Sequence, residues 1–551
     1  MMLPGCTPWP APIAAGYRRE GLWLGESLGD LLKTWAGEHG TRTALVKGEL
    51  RLSYRDLDAR VDRMAAGFLS RGIGPGDRVV LQLPNVPEFV IVAFALFRIG
   101  AKPVFSLASH RANEIRHLLE LSGAVAYVVP GTYRGFDHVA LARDMLAESP
   151  ALRLIFTLGA AGPDPAVVPL AEVDAEPAPL PPADPSDVAF FLLSGGTTAL
   201  PKLIPRTHDD YAYQLRAVAE VCGLTAADVY LAALPVEFNF TWGCPGVLGT
   251  LSTGGRVVLA DDPTPDDCFT AIERERVTFT SVVPTVAQLW LEAMEWGPAD
   301  LSSLRTIQIG GARLQPELAA RIEPELGCRL QQVFGMAEGL LSMTRDDDDP
   351  QAVVHTQGRP ISPADEVRIV DENGDDVPAG VAGELLTRGP YTLRGYYRAE
   401  EHNRRAFTGD GFYRTGDVAS LTPEGRLVIE GRLKDVIIRG GDKISAGEVE
   451  GHLLAHPHVA RAAVVPVPDD FLGERIYAFL VAPESGAAGE RPGLPELKQA
   501  LHQRGLAEFK LPDRVEYVAG FPLTPLGKVD KKVLAAAARD RSAPRDWAEK
   551  G

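Results

Sequence analysis

The sequence predicts an α/β protein: a large N-terminal domain of layered α/β sheets with a β-rich subdomain, then a small C-terminal α+β domain. Three observations lead there. Up to Ile309, strand-length apolar runs alternate with amphipathic helical patterns, which calls for a largely parallel sheet covered on both faces. Beyond Val353 short strands separated by turn residues replace that alternation. At 551 residues the chain is also too long for one hydrophobic core. The expected division is 1–432, with the β-rich part at about 353–432, and 433–551.

Taken in order, apolar residues recur at helical spacing over 28–37, and a short β pair follows at 44–46 and 51–53. Residues 54–71 read as a long amphipathic helix, and the turn Gly74-Pro75-Gly76-Asp77 leads into a strand at 78–83. An apolar helix (89–99) and strands at 102–106 and 124–129 come next. Residues 160–185, rich in Pro, Ala and Asp, read as a surface connection. Helices at 209–222, 245–251, 265–275 and 285–295 then alternate with strands at 229–234, 256–259, 281–283 and 306–309. In the β-rich part strands are expected at 366–370, 383–387, 411–413 and 427–430, with Asn373-Gly374 and Pro423-Glu424-Gly425 as turns. Helices at 446–454 and 494–503 around strands 459–465 and 477–481 complete the small domain.

Composition excludes several partners. A formal net charge of -17 argues against a nucleic-acid or anionic-membrane binder, so an anionic substrate needs a local basic pocket. Five scattered cysteines without a C-x-x-C pair fit a reducing cytoplasm and exclude an obvious zinc or disulfide framework. Residues 1–12 lack a leader pattern and no apolar run reaches bilayer length, so a cytoplasmic protein with no membrane partner is expected.

The chemistry centres on Phe191-Leu192-Leu193-Ser194-Gly195-Gly196-Thr197-Thr198-Ala199-Leu200-Pro201-Lys202. A buried strand breaks there into glycines, hydroxyls and a lysine, which together suit a phosphate. Its spacing is not that of the P-loop. Val333-Phe334-Gly335-Met336-Ala337-Glu338-Gly339 ends a strand on a carboxylate that suits Mg²⁺, or equally a helix N-terminus. Tyr413-Arg414-Thr415-Gly416-Asp417 offers a carboxylate for ribose hydroxyls. Gly431-Arg432-Leu433-Lys434-Asp435, Arg439-Gly440-Gly441-Asp442-Lys443-Ile444 and Pro522-Leu523-Thr524-Pro525-Leu526-Gly527-Lys528 follow.

In this order the motifs make the chain resemble the acyl-adenylate-forming superfamily of adenylation domains, acyl-CoA synthetases and luciferase-like enzymes, from about Leu28 to Val533. The resemblance implies ATP and Mg²⁺ as cofactors and a mobile small domain. It makes Ser194, Gly195, Gly196, Thr197, Thr198 and Lys202 the phosphate loop, with Gly310, Gly311 and Val333 as further ATP/AMP-binding residues. Glu338 becomes the metal ligand, Asp417 and Arg432 the ribose contacts, and Lys434 the hinge. Lys528 bridges carboxylate and α-phosphate in catalysis, with His208 as a second catalytic residue. Ala199 stands where the family usually has glycine, and its methyl group restricts the loop backbone.

The acid is addressed by Leu234-Pro235-Val236-Glu237-Phe238-Asn239-Phe240. Amino-acid-activating relatives carry an aspartate near here. Neutral Asn239 cannot pair an α-ammonium but hydrogen-bonds a phenol or ring nitrogen. With Arg206-Thr207-His208-Asp209-Asp210, Asn239 makes the chain similar to the stand-alone enzymes that adenylate 2,3-dihydroxybenzoate or salicylate for siderophore and nonribosomal peptide assembly, although those usually have His where Phe238 stands. Phe238, Asn239, Cys244, Gly310, Gly335 and Leu341 are the expected substrate-binding residues. Cys244 and Leu341 resemble the salicylate type. A 3-hydroxyl beside them would lack a partner, at roughly 1–3 kcal/mol. Taken alone, Cys244 reads equally as a small buried hydrophobe.

Salicylate is therefore the favoured substrate, with 2,3-dihydroxybenzoate or another 2-hydroxy aryl acid as the alternative. The expected acceptor is the phosphopantetheine thiol of a separate aryl carrier protein, or free coenzyme A if the protein is an aryl-CoA synthetase. His452, His456 and His458 are read as helix-end histidines, and Asp346–Asp349 as a solvated loop.

Overall fold

In a computed structural model the described residues are 2–180, 182–194, 201–297, 299–433, 436–439, 442–469, 472–483, 491–504, 506, 508–524 and 528–539. The chain divides into two compact units. The first comprises Met1–Leu314, Ala320–Glu366 and Thr387–Tyr413, and the second Gln315–Ala319, Val367–Leu386 and Arg414–Gly551.

A nine-stranded sheet organises the first unit, in the order Arg359–Pro360, Gly339–Met343, Arg329–Met336, Thr306–Gly310, Phe279–Val282, Val229–Ala232, Arg256–Leu259, Thr43–Lys47, Leu50–Ser53. Its six central strands, from Arg329–Met336 across to Thr43–Lys47, pair parallel. The loops after Ala232, Gly310 and Met336 therefore leave the same edge of the sheet. Ligands of open α/β sheets bind at that edge, where strand carboxyl ends meet.

A seven-stranded sheet runs Leu203–Thr207, Val188–Leu193, Lys102–Phe105, Arg78–Leu81, Ala126–Val129, Leu154–Thr157, Val167–Pro169. The last of these falls inside the stretch expected to be a surface connection. Three residues, Val-Val-Pro, pair parallel at the sheet's rim and are too short for periodicity to reveal.

Local signals explain the helices that carry the site. Thr207 starts helix His208–Val221 with a reciprocal capping box to Asp210. Helix Pro87–Arg98 is apolar on every face because nearly all of it is buried. Its Phe89 and Phe94 pack on Trp242, and Phe105 bridges that cluster to Phe190, which meets Tyr211 edge-on at 4.8 Å. The aromatic core thereby fixes the first turn of helix His208–Val221.

The second unit holds a four-stranded sheet, Glu366–Val370, Gly383–Arg388, Tyr413–Leu421 and Leu427–Arg432. It also holds a smaller α+β body in which Asp442–Ser445, Val436–Arg439, Gly473–Val481 and Arg461–Asp469 are joined by Arg514–Tyr517. Helices Ala446–Leu454 and Leu494–Gln503 pack on that body over Ile437, Val449, Leu453, Ile476, Leu497 and Leu501. Strand Tyr413–Leu421 is longer than expected because Gly416, at φ +71°, sits inside it and masks the alternation. The fold is mixed α/β with a larger first part and a smaller last one. Among the described residues no helix is long and apolar enough to cross a membrane.

Candidate active site

The hairpin Val188–Leu193/Leu203–Thr207 carries the phosphate-loop sequence. Ser194 N donates to Lys202 O at 3.0 Å, and Lys202 N donates to Ser194 Oγ at 3.0 Å, so the two ends of the loop are tied together. Gly195, Gly196, Thr197 and Thr198 lie outside the described residues. Lys202 Nζ stands 5.1 Å from the centroid of the Tyr396 ring, and the Tyr396 hydroxyl donates to Glu338 Oε1 at 2.7 Å. One tyrosine thus links two of the residues expected at the phosphates. Burial and the Glu338 carboxylate push that phenol far above its ordinary range, so it stays a donor.

Glu338 sits in the turn between Arg329–Met336 and Gly339–Met343, not at a helix start. Its backbone is held on both sides: Arg206 Nη1 donates to Ala337 O at 3.1 Å, and Leu393 N donates to Glu338 O at 2.7 Å. Gly339 is required there. Its φ is +128°, and a Cβ would lie 2.5 Å from Thr392 Cα. Among the described residues no group of three or more His, Cys, Asp or Glu forms a metal site. Glu338 alone fits a cation that takes its other ligands from phosphate oxygens and water, the usual Mg²⁺ arrangement.

The residues expected to bind the acid stand on strands and loops at the carboxyl edge of the large sheet. Gly310 and Val333 are ladder partners, as are Gly335 and Leu341. A Cβ on Gly310 would lie 2.6 Å from Val333 O and 3.2 Å from Phe240 Cζ, and one on Gly335 would lie 2.5 Å from Leu341 Cδ2. Gly311, at φ +78°, turns the chain away. Phe238 N-caps the short helix Asn239–Gly243 and is half-buried, as is Asn239. Asn239 Oδ1 accepts from the Tyr211 hydroxyl at 2.8 Å. Cys244 and Leu341 are buried, and burial pushes the Cys244 thiol well up, so it stays neutral.

In the second unit Asp417 and Arg432 face each other across the ladder, with Arg432 Nε 2.7 Å from Asp417 Oδ1. Asp417 is buried and the Arg432 side chain is half-exposed. Lys528 is exposed on a turn whose ends are joined by Thr524 N donating to Lys528 O at 2.7 Å and Lys528 N donating to Thr524 Oγ1 at 3.2 Å. Lys434 lies outside the described residues.

His208 is expected as a second catalytic residue. His208 is 1% exposed, packs edge-on against Phe97 and accepts from Leu28 N through Nδ1 at 3.1 Å. Burial holds its pKa down to about 3. Through its bond to Leu28 N the ring ties the start of helix His208–Val221 to that of helix Leu28–His39. At 452, 456 and 458, His456 Nδ1 accepts from His458 N at 3.3 Å, in keeping with helix-end histidines. Asp346, Asp347 and Asp348 pair with Arg329 and Arg359, and Asp349 caps helix Pro350–His355, so the acidic loop is tied down more than expected.

Glu237 is not among the expected site residues, yet it is a titratable group buried immediately before Phe238 and Asn239. Its Oε1 accepts from Ala108 N at 3.3 Å, Oε2 has no partner, and burial raises its pKa to about 8. The unfolded chain ionises this carboxyl above about 4.5 while the folded chain keeps it protonated to about 8, so it costs stability as pH rises between those values. Glu237→Gln is expected to stabilise the protein at pH 7, by up to about 3 kcal/mol at 1.36 kcal/mol per pH unit. The gain should vanish as pH falls to 4.5. Urea unfolding of both proteins at pH 4.5, 6 and 7.5 reads this, and a gain constant with pH would refute it.

Comparison with known proteins agrees with this two-part nucleotide-handling fold. The AMP-binding enzyme family matches residues 32–397, and the AMP-binding enzyme C-terminal domain matches residues 448–528. The chain belongs to the AMP-binding enzyme family, whose ligases use ATP. It is 53% identical to the 2,3-dihydroxybenzoate-AMP ligase of Bacillus subtilis, over 98% of this chain and 99% of that one. It is 47% identical to the salicyl-AMP ligase / salicyl-S-ArCP synthetase of Mycobacterium tuberculosis, over 97% and 94%. The apo structure of Mycobacterium smegmatis MbtA superposes with a TM-score of 0.74 at 46% identity, covering 97% of this chain and 98% of that one.

Proposed function

We propose that this protein activates an aryl carboxylic acid, salicylate in the first place, as its adenylate and passes the aryl group to a thiol. A carboxylate oxygen attacks the α-phosphorus of ATP, the bond to pyrophosphate breaks, and aryl-AMP forms. The thiol sulfur then attacks the acyl carbon and AMP leaves, with the aryl group held as a thioester. The observation that carries the reading is the neutral Asn239 amide on the loop that leaves the carboxyl edge of the sheet, where its neighbour Phe240 approaches Gly310. An aspartate there would call for an ammonium, whereas an amide calls for a phenol or ring nitrogen.

Ser194 to Lys202 would cradle the phosphates and Glu338 would hold Mg²⁺, which offsets triphosphate charge when bound. Asp417 and Arg432 would take the ribose hydroxyls. Lys528 would offset repulsion between the two anions that must meet. Residues 433–551 would act as a lid turning about Lys434, so that Lys528 serves the first step and leaves for the second. The acceptor in this reading is a phosphopantetheine on a separate carrier protein, with coenzyme A as the second reading, and the setting is cytoplasmic. Likeness to the B. subtilis enzyme keeps 2,3-dihydroxybenzoate as the alternative acid. The buried, neutral thiol of Cys244 favours salicylate, because it is a weak partner for a 3-hydroxyl.

Exchange of labelled pyrophosphate into ATP across a panel of aryl acids tests the reading. Salicylate should exceed 2,3-dihydroxybenzoate by about tenfold, the lower end of what one unmatched hydroxyl costs. Exchange with α-amino acids but with no aryl acid would refute it.

A further inference from the structure

Lys202 and Glu338, the two opposite charges expected at the phosphates, both rest on one phenol ring. The Lys202 ammonium lies over the face of Tyr396, and the Glu338 carboxylate takes its hydroxyl. The ring is tightly placed. Tyr396 N donates to Asn403 Oδ1 and Asn403 Nδ2 donates to Tyr396 O, both at 2.9 Å, so one amide clamps the backbone in both directions. His402 meets the ring edge-on at 5.1 Å, and Tyr413, itself packed on Phe407, meets it at 6.3 Å. Tyr396, Tyr413 and Glu338 are all buried. The direction of the hydrogen bonds follows from the carboxylate. It only accepts, so the single Tyr396 proton goes to Glu338 Oε1 at 2.7 Å. The 2.8 Å contact between the two phenols then takes its proton from Tyr413. Oε1 is thereby committed, and Oε2 is the oxygen left for a cation.

We propose that Tyr396, backed by Tyr413, is a positioning residue for the phosphate end of the site. It holds Glu338 by one oxygen, leaves the other for a divalent cation, and keeps the Lys202 ammonium on its ring face, apart from that carboxylate. This rests on the reading of Glu338 as metal ligand and Lys202 as phosphate contact given above, and adds two tyrosines to it. With no ring between them the two charges would draw together, and their ion pair would remove a metal ligand and a phosphate contact at once. A phenol answers both needs, since its hydroxyl donates to a carboxylate while its face attracts a cation. A carboxylate held by a neighbouring donor also meets the metal in one orientation, as ligands supported by outer residues generally do. Tyr413 keeps the Tyr396 proton directed at Glu338, because its own proton occupies the phenol oxygen.

Mn²⁺ binding to the full-length protein with a non-hydrolysable ATP analogue, read by electron paramagnetic resonance, reports the metal side without turnover. Glu338→Gln should weaken it at least about tenfold. Tyr396→Phe keeps the ring, loses only the hydroxyl, and should weaken Mn²⁺ by roughly 10–100-fold, the range for a lost outer partner of a metal ligand. Tyr413→Phe should weaken it in the same direction by about threefold or more. The KM for the aryl acid should stay within about twofold in both tyrosine variants. A merely structural role would spare the metal while lowering thermal stability and kcat. ATP binding in EDTA reads the lysine: it should be unchanged in Tyr396→Phe and about fivefold weaker in Tyr396→Leu, where the ammonium can turn to the carboxylate. Mn²⁺ affinity within about twofold of wild type in Tyr396→Phe, or in Tyr413→Phe should the first variant not fold, overturns the positioning role. Unchanged EDTA binding in Tyr396→Leu overturns the spacing. If Glu338→Gln leaves Mn²⁺ binding intact, the metal reading fails and the inference with it. None of these binding measurements needs an acid, so absence of exchange with every aryl acid would strike the aryl-acid reading alone.

Discussion

Replacing Lys528 by alanine should lower acid-dependent pyrophosphate exchange by about three orders of magnitude. The estimate is electrostatic. Two anions must meet in line, and one cation at about 4 Å is worth roughly 4 kcal/mol at an effective dielectric of 20. Each 1.36 kcal/mol is tenfold in rate. The side chain is exposed, and the two bonds that join residue 528 to Thr524 run through its backbone, which alanine keeps. Thioester formation from supplied aryl-AMP should keep its wild-type rate, because the proposed lysine takes no part in it. Exchange within tenfold of wild type would remove Lys528 from the first step.

Lys434→Pro should split the two half-reactions the other way. Proline holds φ near −65°, so a residue that must adopt two backbone states is confined to one. Exchange should stay within a few-fold, while transfer of the aryl group to a thiol should fall by about a hundredfold or more, the scale of a step that loses its productive geometry. Lys434→Ala, which keeps φ free, should restore transfer. Equal loss of both half-reactions in the proline variant would end the account of a turning lid.

Much of the architecture was legible because periodicity and turn residues agree along most of the chain. Helix Pro265–Glu275 carries proline at its first turn, acidic residues behind it and an apolar stripe, and it forms where the pattern places it. Strands buried on both faces read as apolar runs, as at Val229–Ala232 and Arg256–Leu259. Edge strands such as Val167–Pro169 escape because three residues have no period. The residues proposed to bind the acid were named only through resemblance, since nothing in Gly310 or Gly335 announces that ladder pairing will set them against Val333 and Leu341. The Arg206–Gln214 contact was illegible for a different reason. Arg206 and Gln214 are eight residues apart, and their meeting depends on a strand–helix corner that one-dimensional spacing does not describe. The burial of His208 was illegible as well, since a polar residue beside a motif does not announce that it will be enclosed.

The Asp417–Arg432 pair lies in one antiparallel ladder whose last residue comes just before position 434. Two consequences follow under the proposed function. If the ribose is seated there, it must displace or share an existing ion pair, so loosening either partner would change how quickly AMP departs as well as how well ATP arrives. The clasp is also finished before the proposed hinge position is reached. An adenylate could therefore stay moored to the ladder while the chain downstream changes its orientation, protected from loss between the two chemical steps.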